Sequence, residues 1–595
     1  MESSKPTRLR FGPFEADFDT QELFDSGQEI HLQSKPFQFL ATLIQHQGKV
    51  VTREQMSHVL WPDIYVQVNQ GLNAAARKVR IALRDRVEAP LYFQTLGSDG
   101  YRFIHDVEIL RWSSGADDAA DSSVRLAVLP FHSEGASNPD FRFGFTAELI
   151  SLLGRVHPRL KVIAPGSSFI YSNGSHTPES AASELGVRYV LTGNLRRSSG
   201  KLEVQTQLIN IDERRVNWEF SDRCSLAQVF DTIQTIVSRV VQEFQPGCVP
   251  QGALSPTCLR TSFGAFEQFL SAQRLWIERT PGSLQSSLES FRKVAEQAPE
   301  FAPAHAGIAN SLLMLANLEL VAPRVAYQNA LQAASTALRI SPQLPEALVA
   351  MAWSKLALEH DWATATKIFE RVLHNTPSFA FGYIGYGNLL LSRGRVDEAA
   401  SFTKRGFDLD PHFAPTSASL ATAYYYARRN DEAIRQARHT LELDPTACTG
   451  HALIGLSLLA QRRYTDAIGH FENAVACSAG DPVMEAHLAH ALAQVGKISQ
   501  AEPILDRLVN RNGQIPRPAY HIALIKLVLG DVNGAIRWLE TACQERFQRT
   551  LFLGVDPRLD VLRGTKHFEN LCKQIREPDP RRLNLDKIAA RGGAA

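Results

Sequence analysis

Asp397-Glu398-Ala399-Ala400 and Asp431-Glu432-Ala433-Ile434 stand 34 residues apart, and their shared alanine recurs at that interval as Ala365, Ala399, Ala433, Ala467, Ala501 and Ala535. Twelve residues before each of the last five is another small residue: Gly387, Ala421, Gly455, Ala489 and Ala523. Pro377, Pro411 and Pro445 close units of the same series. A fixed period of this length belongs to a solenoid of helical hairpins, in which each unit buries its apolar face only against its neighbours. Small residues recur where the two helices of a unit cross at close range, and proline ends a unit because it cannot continue a helix. Upstream the alignment passes through Phe291 with Pro299 and Ala330 with Pro342, a step of 43 residues that requires an insertion in one unit. Downstream the pattern stops near Thr550, and Leu551-Phe552-Leu553-Gly554-Val555-Asp556-Pro557 reads as a cap. The array therefore spans 263–575, before a tail, 576–595, expected to be disordered.

The remainder of the 595 residues divides at two polar, small-residue stretches, 107–123 and 246–262, read as linkers. This leaves an N-terminal block, 1–106, and a middle block, 124–245. Lys and Arg number 63 against 62 Asp and Glu, so only local charge carries an argument about nucleic acid. Seven cysteines form no Cys-x-x-Cys pair, which suits free thiols in a reducing compartment. With no run of eighteen apolar residues and no apolar core behind the first methionine, a soluble, cytoplasmic chain with no membrane association is expected.

In the N-terminal block, Leu9-Arg10-Phe11, Leu23-Phe24 and Ile30-His31-Leu32 alternate as short strands between turn residues. Phe37, Leu40, Leu43 and Ile44 follow with helical spacing. Thr52-Arg53-Glu54-Gln55 supplies a capping box, Thr52 accepting from the Gln55 amide. A third helix runs from near Asn69 to about Arg84, with an apolar stripe of Leu72, Ala75, Ala76, Val79 and Leu83. Its other side carries Gln70, Asn73, Arg77, Arg80 and Arg84, with Lys78 on the flank. Tyr92-Phe93-Gln94-Thr95 and Tyr101-Arg102-Phe103-Ile104 alternate around Gly97-Ser98-Asp99-Gly100, a hairpin pattern.

Thr52-Arg53-Glu54-Gln55, Val59-Leu60-Trp61-Pro62 and Gly100-Tyr101-Arg102-Phe103 stand in the order and spacing of the OmpR-type winged helix-turn-helix, which this block resembles. The resemblance implies a third helix in the major groove of double-stranded DNA and a hairpin wing at the adjacent minor groove. It puts Gln70, Ala74, Arg77 and Lys78 at base-facing positions, Arg80 near the phosphates, Thr95 on the wing and Trp61 on a loop that meets the backbone. Asn73 and Tyr101 complete the candidate contacts. Arginine bonds guanine bidentately, and Gln70 and Asn73 have the chemistry to read adenine. Many relatives carry arginine on the wing where this chain has Gly97.

The middle block alternates strands with helices: strands at 124–131, 160–163, 189–193, 194–197 and 202–211, helices at 145–153, 180–185 and 226–244. This predicts an α/β layer with a mixed sheet. Ala127-Val128-Leu129-Pro130-Phe131, Glu184-Leu185-Gly186-Val187-Arg188-Tyr189-Val190-Leu191 and Gln205-Thr206-Gln207-Leu208-Ile209 resemble the TolB-like N-terminal domain, which implies an interaction or sensing module without catalytic residues. The Asp-Glu-Ala boxes of the array resemble the tetratricopeptide repeat. That implies a concave groove for a protein or peptide partner, with Asn388 and Tyr425 on the groove face.

Enzyme signals fail on context. Ser198-Ser199-Gly200-Lys201 fits a Ser-x-x-Lys motif but lies between two strands without partner motifs, so it reads as a turn. Gly382, Gly385 and Gly387 fall inside a repeat helix, where small residues serve packing. No phosphate loop, His-Glu-x-x-His or spaced Cys/His set exists, so no catalytic, metal or cofactor site is expected. No receiver domain is expected ahead of the winged helix.

The expectation is a multidomain α/β plus all-α chain: winged helix-turn-helix, TolB-like α/β layer and tetratricopeptide-repeat α-solenoid. Its function is that of a sequence-specific DNA-binding regulator of transcription with a partner on the array. ToxR and CadC relatives place a membrane helix after the winged helix, whereas 107–123 is polar here. Such a linker behaves as flexible coil, so the C-terminal domains are expected to act by recruitment or as a homodimer on DNA. The alternative is a non-enzymatic adaptor whose winged helix docks on protein, for example RNA polymerase. The basic run Arg77, Lys78 and Arg80 favours DNA.

Overall fold

The computed structural model describes residues 8–110 and 124–576, with interruptions of which 61–67 and 245–260 are the longest. The chain divides into two compact units, 1–121 and 122–595.

In the first unit, β1 (Arg8–Phe11), β2 (Phe14–Asp17), β3 (Glu22–Asp25) and β4 (Gln28–Ile30) form an antiparallel meander. Then come α1 (Ser34–Gln45), β5 (Val50–Val51), α2 (Arg53–Leu60), α3 (Val68–Leu83), β6 (Phe93–Thr95), β7 (Tyr101–Phe103) and β8 (Glu108–Leu110). β8 falls inside the expected 107–123 linker but pairs with β1, so the ordered unit runs further than composition suggested. The sheets are β4-β3-β2-β1-β8 and β5-β7-β6. Phe11, Phe14, Phe37, Leu40 and Leu43 share one core with the expected α3 stripe, Leu72, Ala75, Ala76, Val79 and Leu83. The capping box forms in both directions: Gln55 N–H donates to Thr52 Oγ1 at 3.1 Å, and Thr52 N–H to Gln55 Oε1 at 3.0 Å. Gly100, at φ 139°, is required, because a Cβ there would fall 2.1 Å from the Val51 carbonyl oxygen.

The second unit opens with a mixed sheet: β9 (Val124–Val128), β10 (His132–Glu134), β11 (Leu160–Val162), β12 (Tyr189–Ser198), β13 (Lys201–Asn210) and β14 (Arg215–Ser225). The order is β11-β9-β12-β13-β14, with β10 also on β12. Its main helices are Pro139–Val156 and Val229–Phe244. The expected strands 189–193 and 194–197 are one continuous strand, and Ser198 pairs directly with Lys201, as the turn reading requires. β14 was missed by the sequence reading.

The linker expected at 246–262 lies mostly outside the described residues, but the layer and the array are not separate bodies. Phe266, Phe269 and Leu270 of the first array helix share a core with Phe141, Phe145, Ile233 and Val237 of the layer. Ser378 Oγ–H donates to the Leu160 carbonyl at 2.8 Å and its oxygen accepts from Val162 N–H at 3.2 Å. Asp410 Oδ1 accepts from both the N–H and the hydroxyl of Ser167, each at 2.6 Å. Arg155 pairs with Glu346 at 2.9 Å.

Among the described residues the array has sixteen helices, from Phe263–Glu278 to Val532–Glu545, in eight hairpins. All six periodic alanines are 0% exposed. A Cβ on Gly387 would meet Thr403 Oγ1 at 2.3 Å, and one on Gly455 would meet Phe471 at 2.7 Å, so the small residues do mark the helix crossings. The insertion lies in the second hairpin, whose helices Ala302–Asn317 and Pro323–Ile340 are extended.

The segment after residue 547 does more than cap the end. It passes through two 3-10 turns (Gln548–Phe552 and Pro557–Leu562) into the helix Lys566–Arg576, and contacts repeats far upstream. Phe552 stacks on Tyr426 at 5.3 Å, Arg428 pairs with Asp560 at 2.8 Å, and Trp362 Nε1–H donates to the Ile575 carbonyl at 3.0 Å. At its centre Asp556 accepts from Tyr520 O–H at 2.7 Å and from Arg558 Nη2 at 2.7 Å. Burial alone would push the Asp556 carboxyl up, but Arg558 and Tyr520 hold it below the usual range. Glu319 faces His521 at 3.7 Å and Arg549 at 4.0 Å. The tail expected at 576–595 lies outside the described residues after Arg576.

Ala433→Phe forces two buried helices apart and is expected to cost roughly 1–3 kcal/mol, read as a lowered thermal midpoint of the full chain; an unchanged midpoint contradicts the crossing. Burial pushes the Glu148 and Asp410 carboxyls up to about 7 and Glu319 up to about 8. Raised carboxyls hold protons in the fold that the unfolded chain has released, so stability falls as pH climbs through this window. The buried histidines His487, His490 and His521, held below their usual range by burial, are neutral in both states above about pH 7 and do not offset it. From about pH 7 to 8.5 the second unit should lose on the order of 1–2 kcal/mol. Glu319→Gln should flatten the slope of midpoint against pH, and a rising profile in the wild type would refute the assignment.

Candidate nucleic-acid interface

α3 buries one face in the core and leaves Asn73, Ala74, Arg77 and Lys78 exposed on the other. Arg77 makes no hydrogen bond or ion pair among the described residues. Lys78 Nζ donates to Gln33 Oε1 at 2.5 Å. Gln70 lies on the first turn of α3 with its side chain outside the described set, and Trp61 lies outside it altogether.

Arg80, expected at the phosphates, is 8% exposed, with its guanidinium engaged within the fold. Its Nη1 donates to Asp85 Oδ2 at 2.9 Å, and its Nη2 to the Phe93 carbonyl at 3.1 Å and Thr95 Oγ1 at 3.2 Å. The guanidinium also lies 4.1 Å from the Phe93 ring centre. Asp85 in turn accepts from Leu91 N–H at 2.7 Å. The helical step from 77 to 80 carries the side chain off the solvent face into the seam between helix and wing. Thr95 itself is exposed on the wing, with its hydroxyl oxygen engaged by Arg80.

Tyr101 is also a support, at 1% exposure, and burial pushes its phenol up. Its O–H points to Asn73 Oδ1 at 3.5 Å, and the Arg53 guanidinium lies 5.3 Å from its ring centre. Arg53, which the sequence reading left inside the capping box, connects the surface. Its Nη1 donates to Asn73 Oδ1 at 3.3 Å and its Nε to the Gly97 carbonyl at 3.2 Å. The wing lacks an arginine at Gly97, yet this side chain brings a cation to the same turn. The signal available in sequence was a basic residue at the first position of α2, beside a wing turn with none.

Asn388 and Tyr425 both line a cavity of about 1470 Å³ bounded by repeat helices, the α/β layer and the C-terminal segment. The expectation of an open groove at Tyr425 is corrected: it is 2% exposed, and Arg558 of the C-terminal segment acts on its phenol. Among the described residues, no group of three or more His, Cys, Asp or Glu is placed to hold a metal ion, and no helix is long and apolar enough to cross a membrane.

The geometry defines an OmpR-type winged-helix domain at the N-terminus and tetratricopeptide repeats at the C-terminus. Residues 27–103 match the family model described as Transcriptional regulatory protein, C terminal, and 419–482 and 458–527 match Tetratricopeptide repeat models. The chain is similar to the Transcriptional regulator HilA of Salmonella typhi, 19% identical over 413 residues that cover 69% of this chain and 72% of that one. An 88-residue stretch is 38% identical to Putative adenylate cyclase 3 of Rhizobium meliloti, covering 14% of this chain and 15% of that protein. The DNA-binding domain of Klebsiella pneumoniae RstA, solved in complex with the RstA box, aligns at 23% identity over 16% of this chain and 96% of that one, with a TM-score of 0.16.

Arg80→Ala strands the buried Asp85 carboxylate and should destabilise the first unit by roughly 3–5 kcal/mol. Thermal unfolding of residues 1–110 measures this; a fully stable variant would return Arg80 to the DNA-facing set.

Proposed function

We propose that this chain is a non-enzymatic, cytoplasmic regulator of transcription that reads duplex DNA through the outer face of α3 and engages a protein or peptide partner through its repeat array. The observation that carries the reading is the exposed strip of Asn73, Ala74, Arg77 and Lys78, with Arg53 held at the wing turn beside it. Arg77 and Lys78 supply unburied cations for guanine edges and phosphates, whereas the Asn73 carbonyl is committed to Arg53. Because α3 is anchored to the wing through Arg80 and Asp85, both DNA-facing elements move as one body. The matched Transcriptional regulatory protein model and the likeness to HilA support the same reading. The middle layer, TolB-like in its sequence strings, is the module that joins the array to this signal path.

Binding of a fluorescent duplex selected from a random pool should weaken by about 2–5 kcal/mol in the Arg77→Ala, Lys78→Ala double variant. The slope of log affinity against log salt should also shallow by about one to two. Both side chains are exposed, so the variant keeps its thermal midpoint. Undiminished affinity in that folded variant would reject the interface.

A further inference from the structure

We infer that the cavity between the α/β layer and the repeat array is a binding site for a small organic anion with an apolar body, its head held by Arg279 and Trp276 beside Gln273. This site is separate from the DNA-facing surface and rests on different observations. Gln273 and Trp276 lie three residues apart on one face at the end of the helix Phe263–Glu278, Arg279 caps that helix, and all three line the cavity of about 1470 Å³. Four of their polar atoms, Arg279 Nε and Nη2, Trp276 Nε1 and Gln273 Oε1, are shut from solvent without a hydrogen-bond partner. Folded proteins leave few such groups, and leaving a guanidinium unpaired is the costliest case.

Arg279 is fixed rather than mobile. Its guanidinium lies 3.6 Å from the Trp276 ring centre and 5.2 Å from that of Phe381, and its backbone adopts φ 57°. Removal from water lowers this guanidinium to about 9, and the charge of the nearby Asp410 carboxyl only partly offsets that cost. Of the four orphaned atoms three are N–H donors, so the missing group is an acceptor, and the cation makes an anion the best one. Beside them, Phe269, Leu313, Met314, Phe381 and Ile384 give apolar wall for a hydrocarbon body. Glu148 and Asp410 also line the space, but burial pushes both carboxyls up to about 7, and Asp410 already accepts from Ser167.

Calorimetric titration of the full chain with dodecanoate, below its micelle concentration and at about pH 6.5, tests the site. One saturable site per chain is expected, with a raised thermal midpoint, and dodecyltrimethylammonium should not occupy it. Arg279→Gln should weaken dodecanoate roughly ten- to a hundredfold, the scale of charged hydrogen bonds, while Arg324→Gln at an exposed position leaves it unchanged. Trp276→Phe keeps the ring stack, removes one donor and should weaken binding several-fold; it decides the matter if Arg279→Gln does not fold. Absence of saturable binding, equal binding of the cationic amphiphile, or wild-type affinity in the folded variants overturns the proposal.

Discussion

The close crossing of paired helices at alanine and glycine is the constraint on which the second unit depends. With no side chain larger than a methyl at Ala365, Ala399, Ala433, Ala467, Ala501 and Ala535, the two helices of a hairpin pack backbone to backbone. The consequence is an asymmetry between them. The helix Asn430–Leu443 buries only Ala433, Ile434, Ala437 and Thr440, whereas Ala380–Ser392 is buried on every side. First helices of this kind need cover on two faces, and the second helices supply only one.

That need explains both the docked layer and the returning tail. The α/β layer covers the inner face near its start through Ser378, Asp410 and Glu346. The C-terminal segment covers it further along through Phe552, Asp556 and Arg558. The Asp556–Arg558 pair is buried, and such pairs are favourable only when their remaining bonding capacity is filled. Tyr520 fills it on the carboxylate side. A buried polar cluster of this kind fixes one register of tail on solenoid where an apolar contact would tolerate several, and what it leaves uncovered is the cavity.

The elements carried by periodicity were legible in the sequence: the hairpin register, the α3 stripe and the capping box are all set by local spacing. The misses have a common cause in tertiary contact. β14 alternates Val216, Trp218 and Phe220 with polar residues, yet follows a turn rich in charge at Asp212, Glu213, Arg214 and Arg215, which masked the strand. The return of residues 548–576 along the array is a long-range pairing with no period to announce it. Tyr425 lines the cavity, but nothing local in the sequence shows that another segment of the chain covers it.

Arg80 and Arg77 show where helical spacing stops being informative. Both are arginines on the polar side of one helix, three residues apart, and by charge alone they are interchangeable. What separates them is Asp85, brought under Arg80 as α3 ends at Arg84 with φ 52°, a left-handed turn that folds the chain back on the helix. The cation that the helix withdraws in this way is replaced from elsewhere: Arg53 crosses from α2 to the wing carbonyl of Gly97. The positive surface is therefore assembled from two helices instead of one stripe, and its geometry is held by the Asn73 carbonyl and the Tyr101 ring. A helix reading bases must be held at a fixed angle to its wing, and here Arg80, bonded to Asp85 and to Thr95 of the wing, ties the two together.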